Sequence, residues 1–324
     1  MHLVLIDGVP GTGKSVIAQR LALHWSSAGA RARWFHEREA EHPVFHFAHL
    51  DDLLQHGPDR LEETLLTGWR ALERAPELDV LILDGTLLNL SVGLLVAMQA
   101  PLGRIRALFG AVADMVRPFA PALVHLTYPD VAGQLRSVGA RRGSQWAHSM
   151  HSMLLRTPFG HAHSDGPHPS LLHAFYARQT AIMATLLDLW PGTSITSVVR
   201  DGEWDQRQRE IAAAVGAPAF APARLPTDTL LRCVGRYRGN DSGRDVHVTT
   251  DGSTLFLQHA DHVADRLVQT ASAWSHLVEG LPATITFDAS SGADRPGSGL
   301  GFHMRTTFAN DRVITDAFRR VDAS

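Results

Sequence analysis

The 324-residue sequence lacks several features of secreted proteins, of membrane-spanning proteins and of proteins that bind extended nucleic acid. It has one cysteine, Cys233, so no disulfide forms within the chain, and we expect a reducing, cytoplasmic environment. Its formal net charge of −3 is not the basic excess that extended nucleic-acid binding requires. The longest apolar run, residues 87–100, is broken by Asn89, Ser91 and Gln99, so it predicts a buried helix and no membrane span. The first residues lead directly into a strand pattern, so no secretion signal is expected.

Lysine is nearly absent as well: 29 of the 30 lysine and arginine residues are arginine, and the exception is Lys14. Its surroundings match G-x-x-x-x-G-K-[ST] in full, after an apolar strand pattern and before an amphipathic helical pattern. A lysine ammonium is compact enough to enter a backbone loop, whereas the guanidinium of arginine is a broad planar fork. We therefore predict a phosphate-binding loop, in which the nucleotide contacts Gly8, Gly11, Thr12, Gly13, Lys14 and Ser15.

Two residues are predicted to hold a metal ion beside this loop. In a phosphate-binding loop of this type, Lys14 bridges the β- and γ-phosphates and Ser15 ligates Mg²⁺. Asp84 ends the continuous apolar run 79–84, which is typical of a buried parallel strand, and an acid there supports the metal. The alternative for Asp84 is a helix cap for the segment that follows. No Asn-Lys-x-Asp signature for guanine occurs, so ATP with Mg²⁺ is the expected cofactor.

The order of strand and helix patterns predicts the architecture. Residues 1–215 alternate between the two, which predicts an α/β domain of the P-loop NTPase type with a doubly wound parallel sheet. Residues 216–228 are rich in proline and alanine and predict a linker. Residues 229–324 predict a small antiparallel β domain, with a hairpin at Asp251-Gly252. The main predicted strands of the first domain are 3–7, 32–36, 79–84, 122–127 and 194–199, and its helices are 14–27, 45–55, 59–74, 88–99, 104–116, 130–143, 169–189 and 203–215.

The glycine-rich loop, Glu37 after the second strand, Asp84-Gly85 and the arginine-rich segment 136–142 together resemble P-loop kinases of the nucleoside and nucleotide kinase-like group, such as thymidylate kinase. The resemblance covers residues 1–215 and implies phosphoryl transfer to a small molecule under a lid at about 136–168. It implies that Glu37 is a base or orients the acceptor; a solvated loop carboxylate is the alternative. It also implies lid arginines on the transferred phosphate, where surface arginines at a helix end are the alternative. The candidates are Arg136, Arg141 and Arg142.

The sequence departs from thymidylate kinase after the second strand, where Glu37 follows a histidine and no Arg-Glu-Pro occurs. Thymidine monophosphate is therefore not the expected acceptor, and a metabolite, nucleoside or antibiotic hydroxyl fits better. Trp204 either stacks on the nucleobase or anchors the last helix in the core. Asn89 and Gln99 either contact the acceptor or satisfy structural hydrogen bonds. Six histidines between 148 and 173, among them His161 and His163, belong to a lid, to the surface or, for that pair, to a zinc site.

We therefore predict a cytoplasmic ATP-dependent small-molecule kinase, with no membrane or extended nucleic-acid partner. The β domain is expected to cover the acceptor pocket, to form a homodimer or to bind a partner. Its segment 234–257 is similar to small β accessory domains that begin with a G-x-Y element. The alternative function is a regulatory P-loop ATPase whose nucleotide state controls partner binding through the β domain.

Overall fold

The computed structural model describes residues 1–39, 41–46, 50–74, 77–142, 144–163, 168–200, 203–219, 226–259, 265–269, 274–278, 281–287, 301–307 and 313–321. The chain forms two compact units, Met1–Phe220 and Ala221–Ser324, whose boundary falls within the predicted linker. Among the described helices, none combines the length and the apolar character that a bilayer crossing requires.

A five-stranded parallel sheet forms the centre of the first unit. Its strands are β1 (His2–Gly8), β2 (Ala32–His36), β3 (Val80–Asp84), β4 (Ala122–Thr127) and β5 (Thr193–Val198). The spatial order is β2-β3-β1-β4-β5, which places β1 in the middle. In this register Ile6 lies beside Asp84, and Asp7 lies beside His125. The loop that follows β1 and the acid that ends β3 therefore share the carboxyl edge of the sheet, where open α/β sheets bind ligands.

Helices cover both faces of this sheet, because alternate strand residues enter two separate cores. Leu3 and Leu5 pack in one core, and Val4 and Ile6 pack in the other. Burial on both faces explains why the central strands are continuous apolar runs in the sequence. The helices are α1 (Lys14–Ser27), α2 (Leu50–Gln55), α3 (Gly57–Ala71), α4 (Gly93–Ala97), α5 (Leu102–Val116), α6 (Val131–Arg142), α7 (Ser144–Leu155), α8 (Pro158–Ala162), α9 (His168–Leu186) and α10 (Trp204–Ala214).

Several predicted helices differ from the structure in type or in their starting point. The helix predicted over 45–55 begins at Leu50, and the helix predicted over 104–116 begins at Leu102. The predicted helix 88–99 begins earlier, as a π-helix over Thr86–Val92, and continues as α4 to Ala97. It stops there because Gln99 adopts a φ of 53°, outside the right-handed helical region. The helix predicted to begin at Asp59 starts instead at Gly57, since a proline fits the first turn of a helix. Single 3₁₀ turns follow α3, α5 and α9 at Leu72–Arg74, Arg117–Phe119 and Leu187–Leu189.

The second unit is an antiparallel sheet preceded by one short helix, α11 (Thr227–Cys233), which occupies the end of the predicted linker. The strands are β6 (Gly235–Gly239), β7 (Asp245–Thr250), β8 (Leu255–His259), β9 (Asp265–Arg266), β10 (Val268–Gln269), β11 (Trp274–Val278), β12 (Leu281–Phe287), β13 (Gly301–Thr307) and β14 (Val313–Val321). Their spatial order is β10-β11-β12-β13-β14-β6-β7-β8-β9. The predicted Asp251-Gly252 hairpin is confirmed, because it joins β7 to β8 and Gly252 has a φ of 86°.

This antiparallel sheet curls until its two edges meet. Strands β9 and β10 stand at opposite ends of the spatial order, yet only Leu267 separates them in the chain. Chain connectivity alone therefore brings the two edges together. The inner face holds an aromatic core, in which the rings of Phe302 and Phe318 stack with centroids 4.6 Å apart. Tyr237 is fully buried beside them, and its hydroxyl donates a 2.8 Å hydrogen bond to the carbonyl of Cys233.

Candidate functional site

The glycine-rich segment Gly8–Ser15 connects β1 to α1, and α1 begins at Lys14 as predicted. Inside the loop the Thr12 hydroxyl donates to the carbonyl of Val9 at 2.9 Å. The Lys14 Nζ donates to the same carbonyl at 3.4 Å, and only 8% of Lys14 is exposed. A buried ammonium with one long hydrogen bond is available to an anion at the N-terminus of α1, where the helix dipole also favours negative charge.

Gly13 is the residue of this loop that lies against Trp204, the first residue of α10. It caps α1 with a φ of 86°, a conformation that side chains other than glycine rarely adopt. A Cβ atom at this position would lie 2.4 Å from the Trp204 ring. The guanidinium of Arg207 lies 5.8 Å from the centroid of the same ring and donates to the carbonyl of Arg200 at 2.8 Å. The structure thus brings Trp204 against the predicted nucleotide loop, while the ring also packs on the core beneath α1.

Asp84 is buried at the end of β3, and none of the described residues makes a well-aligned hydrogen bond to its carboxylate oxygens, although the Ser15 hydroxyl lies near enough to influence its pKa. Burial raises the pKa of Asp84 to about 7; Lys14 opposes that rise, Glu37 adds to it, and the nearby Ser15 hydroxyl also opposes it. A buried carboxylate without a donor is costly unless a cation or a proton compensates it. Ser15 and Asp84 offer hard oxygen ligands at the edge of the glycine-rich loop, which is the ligand type that Mg²⁺ prefers. Among the described residues, no group of three or more His, Cys, Asp and Glu side chains is placed to hold a metal by itself.

Glu37 follows β2 and reaches over Gly85 toward the glycine-rich loop. Its Oε2 accepts a 2.7 Å hydrogen bond from the Asn89 amide. Gly85 has a φ of 68°, and a Cβ atom there would lie 2.3 Å from Glu37 Oε2 and 3.3 Å from Lys14 Cε. The Asp84-Gly85 pair therefore needs its glycine so that Glu37 can approach the lysine. The structure brings together Lys14, Glu37 and Asp84, which the sequence placed at three separate strand ends.

Asp7 also lies in this site, although the sequence reasoning did not identify it. Its carboxylate accepts backbone N–H groups of Leu87 at 3.3 Å and Asn89 at 2.8 Å, at the start of the π-helix. Burial raises the pKa of Asp7 to about 6, although these backbone donors and Lys14 lower it. The sequence could have indicated Asp7 as a site residue, because it is an acid at the end of an apolar strand, as Asp84 is. Asp7 anchors the π-helix in front of the loop.

Two buried histidines support the segment after β2. The backbone N–H of Arg38 donates to His36 Nδ1 at 3.2 Å, which leaves Nε2 to carry the proton, 3.9 Å from Asp84 Oδ2. Burial lowers the pKa of His36 to about 4, although the Glu37 carboxylate opposes that shift. His42 Nδ1 accepts backbone N–H groups of Val44 and Phe45, each at 3.1 Å, so its Nε2 donates to Thr86 Oγ1 at 3.0 Å. Burial lowers the pKa of His42 to about 3. Both histidines are therefore neutral near pH 7.

The three predicted lid arginines have different surroundings. Arg142 ends α6 with its guanidinium 5.7 Å from the centroid of the Trp146 ring, and its charge acts on His36 and Tyr176. Tyr176 of α9 is buried; burial raises the pKa of its hydroxyl, Glu37 adds to the rise and Arg142 opposes it. Arg142 thus approaches the site, together with a tyrosine that the sequence reasoning missed. Arg136 is exposed and lies 3.9 Å from Asp130, and the side chain of Arg141 lies outside the described part of the chain.

The remaining predicted side chains divide between site and scaffold. Asn89 is in the site, whereas the Gln99 amide donates to the carbonyl of Pro158 at 3.2 Å, as the structural alternative expected. His163 stacks on Phe159 with ring centroids 4.2 Å apart, and its Nδ1 contacts the carbonyl of that residue at 2.8 Å. These contacts give His163 a structural role on α8.

No protein-family model matches the chain, and no curated protein matches it.

Proposed function

We propose that this protein is an ATP-dependent phosphotransferase that moves the γ-phosphate of ATP to a hydroxyl of a small molecule. The first unit would then be a P-loop NTPase-type domain. The observation that carries the proposal is the buried carboxylate of Asp84, which makes no well-aligned hydrogen bond among the described residues and lies near the Ser15 hydroxyl and Lys14. A second carboxylate, Glu37, approaches the same lysine, where a base for an attacking hydroxyl would be needed; a role in nucleotide binding alone leaves that carboxylate unexplained.

In this function each group has a chemical role. Backbone N–H groups of the Gly8–Ser15 loop and the Lys14 ammonium hold the β- and γ-phosphates. Ser15 and Asp84 would hold Mg²⁺, which neutralises charge on the phosphate oxygens when bound. Glu37 accepts the proton of the acceptor hydroxyl as the hydroxyl oxygen attacks the γ-phosphorus, and the bond from that phosphorus to the bridging oxygen breaks to release ADP. Trp204 would offer its ring to the nucleobase, since it borders the loop at Gly13.

Arg142 would complete the site from the lid side. A guanidinium near the acceptor hydroxyl and the transferred phosphate stabilises the charge that develops on the phosphoryl oxygens. Its charge already influences the neighbouring His36 and Tyr176 in this structure. Closure of the lid over the acceptor would exclude water, which otherwise competes as phosphate acceptor.

The test is ADP production from Mg·ATP with and without candidate acceptors: adenosine, thymidine, ribose, serine, chloramphenicol and streptomycin. We expect one of these classes to raise turnover manyfold in the wild type. Lys14→Ala should lower stimulated turnover by roughly 10²-fold or more, the usual effect of removing one such donor. Lys14→Arg is the matched control: it keeps the charge but carries a fork too broad for the loop, so it should fail like the alanine variant. Full activity of Lys14→Arg would contradict the assigned role.

A regulatory ATPase is the second candidate, because the antiparallel sheet forms a compact unit of its own. In that case no acceptor raises turnover, while Mg·ATP and Mg·ADP change the affinity of the full chain for a protein partner. ATP binding without acceptor stimulation would favour this reading.

A further inference from the structure

The π-helix Thr86–Val92 directs one amide at the proposed base. We infer that Asn89 is a positioning residue that holds Glu37 in its reactive orientation, and that Gln179 fixes Asn89 in turn. This inference rests on the proposed phosphotransferase function, in which Glu37 takes the proton of the acceptor hydroxyl.

The backbone N–H, the backbone carbonyl and the side-chain amide nitrogen of Asn89 are each engaged by a different part of the chain. Its backbone N–H donates to Asp7 at the end of β1 at 2.8 Å. Its backbone carbonyl accepts from Gln179 Nε2 of α9 at 2.8 Å. Its side-chain amide donates to Glu37 Oε2 at 2.7 Å. Residues from three distant parts of the chain therefore fix the position of one side chain, which is more than an ordinary helical residue needs.

Gln179 is fully buried and uses its amide nitrogen twice, donating also to the carbonyl of Leu88 at 3.1 Å. The wide turn is closed by the N–H of Leu90, which donates to the carbonyl of Gly85 at 2.9 Å, five residues earlier. Single π-helical turns are rare and occur often at functional sites. Here the wide turn presents Asn89 toward Glu37, and Gln179 secures its carbonyl side.

The contact has a direct chemical consequence. One oxygen of Glu37 receives the Asn89 amide, so the carboxylate cannot rotate freely, and Oε1 is left for the acceptor hydroxyl. Holding reacting groups in place contributes to rate through orientation and leaves nucleotide affinity unchanged. We therefore expect Asn89→Ala to lower kcat about 10- to 100-fold while the KM for Mg·ATP stays within about twofold.

The experiment is a double-mutant cycle on full-length protein, with acceptor-stimulated ADP production measured for Asn89→Ala, Glu37→Ala and the double variant. If Asn89 acts through Glu37, its substitution lowers kcat in the wild type and has no further effect in the Glu37→Ala background. Equal losses in both backgrounds would overturn the inference. Gln179→Met, which removes the amide donor but keeps the shape, should follow Asn89→Ala with a smaller loss.

Ser91→Ala is the matched control on the same π-helix. Its hydroxyl donates to the carbonyl of Thr86 at 2.8 Å, and no described contact joins it to Glu37. Its effect on kcat should be the same in both backgrounds, as expected of a structural residue. Urea unfolding midpoints identify any variant that fails to fold. If no acceptor stimulates the wild type, the phosphotransferase function fails and the positioning role fails with it. If stimulation occurs but the cycle is additive, only the positioning role fails.

Discussion

Replacing Asp84 with asparagine should stabilise the protein and inactivate it. Asparagine resembles the protonated carboxyl, so the variant removes the cost of burying a charge without changing the shape of the site. That cost is recorded in the pKa of Asp84, which burial raises from 3.8 to about 7. The folded state therefore keeps a proton that the unfolded state loses above pH 4, and the wild type loses stability as pH rises toward 7.

The magnitude follows from linkage. The difference in protons bound at Asp84 between the folded and the unfolded state, summed from pH 5 to pH 8, amounts to about 1.9 pH units. At about 1.36 kcal/mol for each unit, the wild type loses about 2.5 kcal/mol of stability over this interval. The free energy of unfolding of Asp84→Asn minus that of the wild type should therefore be larger at pH 8 than at pH 5 by about this amount. Other titrating groups are common to both proteins and cancel in the comparison.

The assay is urea unfolding of wild type and Asp84→Asn at pH 5 and pH 8, in EDTA, so that no divalent metal compensates the carboxylate. Mg·ATP turnover of the same variant should fall to background, because the proposed metal ligand is lost. A stability difference that does not change between pH 5 and pH 8 would refute the charge-burial reasoning. A variant that is more stable and fully active would refute the metal role of Asp84.

Three further predictions concern other parts of the site. Gly13→Ala should abolish binding of Mg·ADP, measured by calorimetry, because the loop φ and the Trp204 ring both exclude a Cβ atom. Mg·ADP should change the intrinsic tryptophan fluorescence of the wild type, and most of that change should be absent in Trp204→Phe. If the variant shows the same fluorescence change as the wild type, the nucleobase does not bind at Trp204. Burial lowers the pKa of His42 to about 3, so the folded protein should lose stability as pH falls below about 6.5, where the unfolded chain takes up a proton at this histidine. In urea unfolding, His42→Gln should reduce the dependence of the unfolding free energy on pH by up to about 1.4 kcal/mol per pH unit.

The fold was readable from the sequence where one local signal dominated. The runs that became β1, β3 and β4 are buried on both faces, so their apolar character is continuous. The start of α1 at Lys14 followed from the glycines before it. Helix type after Asp84 was not readable, because the π-helix depends on the distant Asp7 and Gln179, and no local pattern encodes those contacts.

The candidate site was predictable to a similar degree. Lys14, Ser15 and Asp84 follow strand ends that a parallel sheet brings to one edge, so their proximity needed only topology. The pairing of Asn89 with Glu37 depends on which residue of a wide helical turn faces β2, which sequence spacing based on an α-helix cannot give. The position of Trp204 on Gly13 likewise depends on how α10 packs against α1.

The curled antiparallel sheet has a consequence for the order in which its strands pair during synthesis. Strand β14 pairs with both β13 and β6, so the last strand of the unit is hydrogen-bonded to its first. During synthesis the preceding strands have an unclosed edge until β14 leaves the ribosome. Premature termination before residue 313 would thus leave one edge of β13 and one edge of β6 without a partner and exposed to edge-to-edge association. The first unit has no such dependence, since its five strands are complete by Val198.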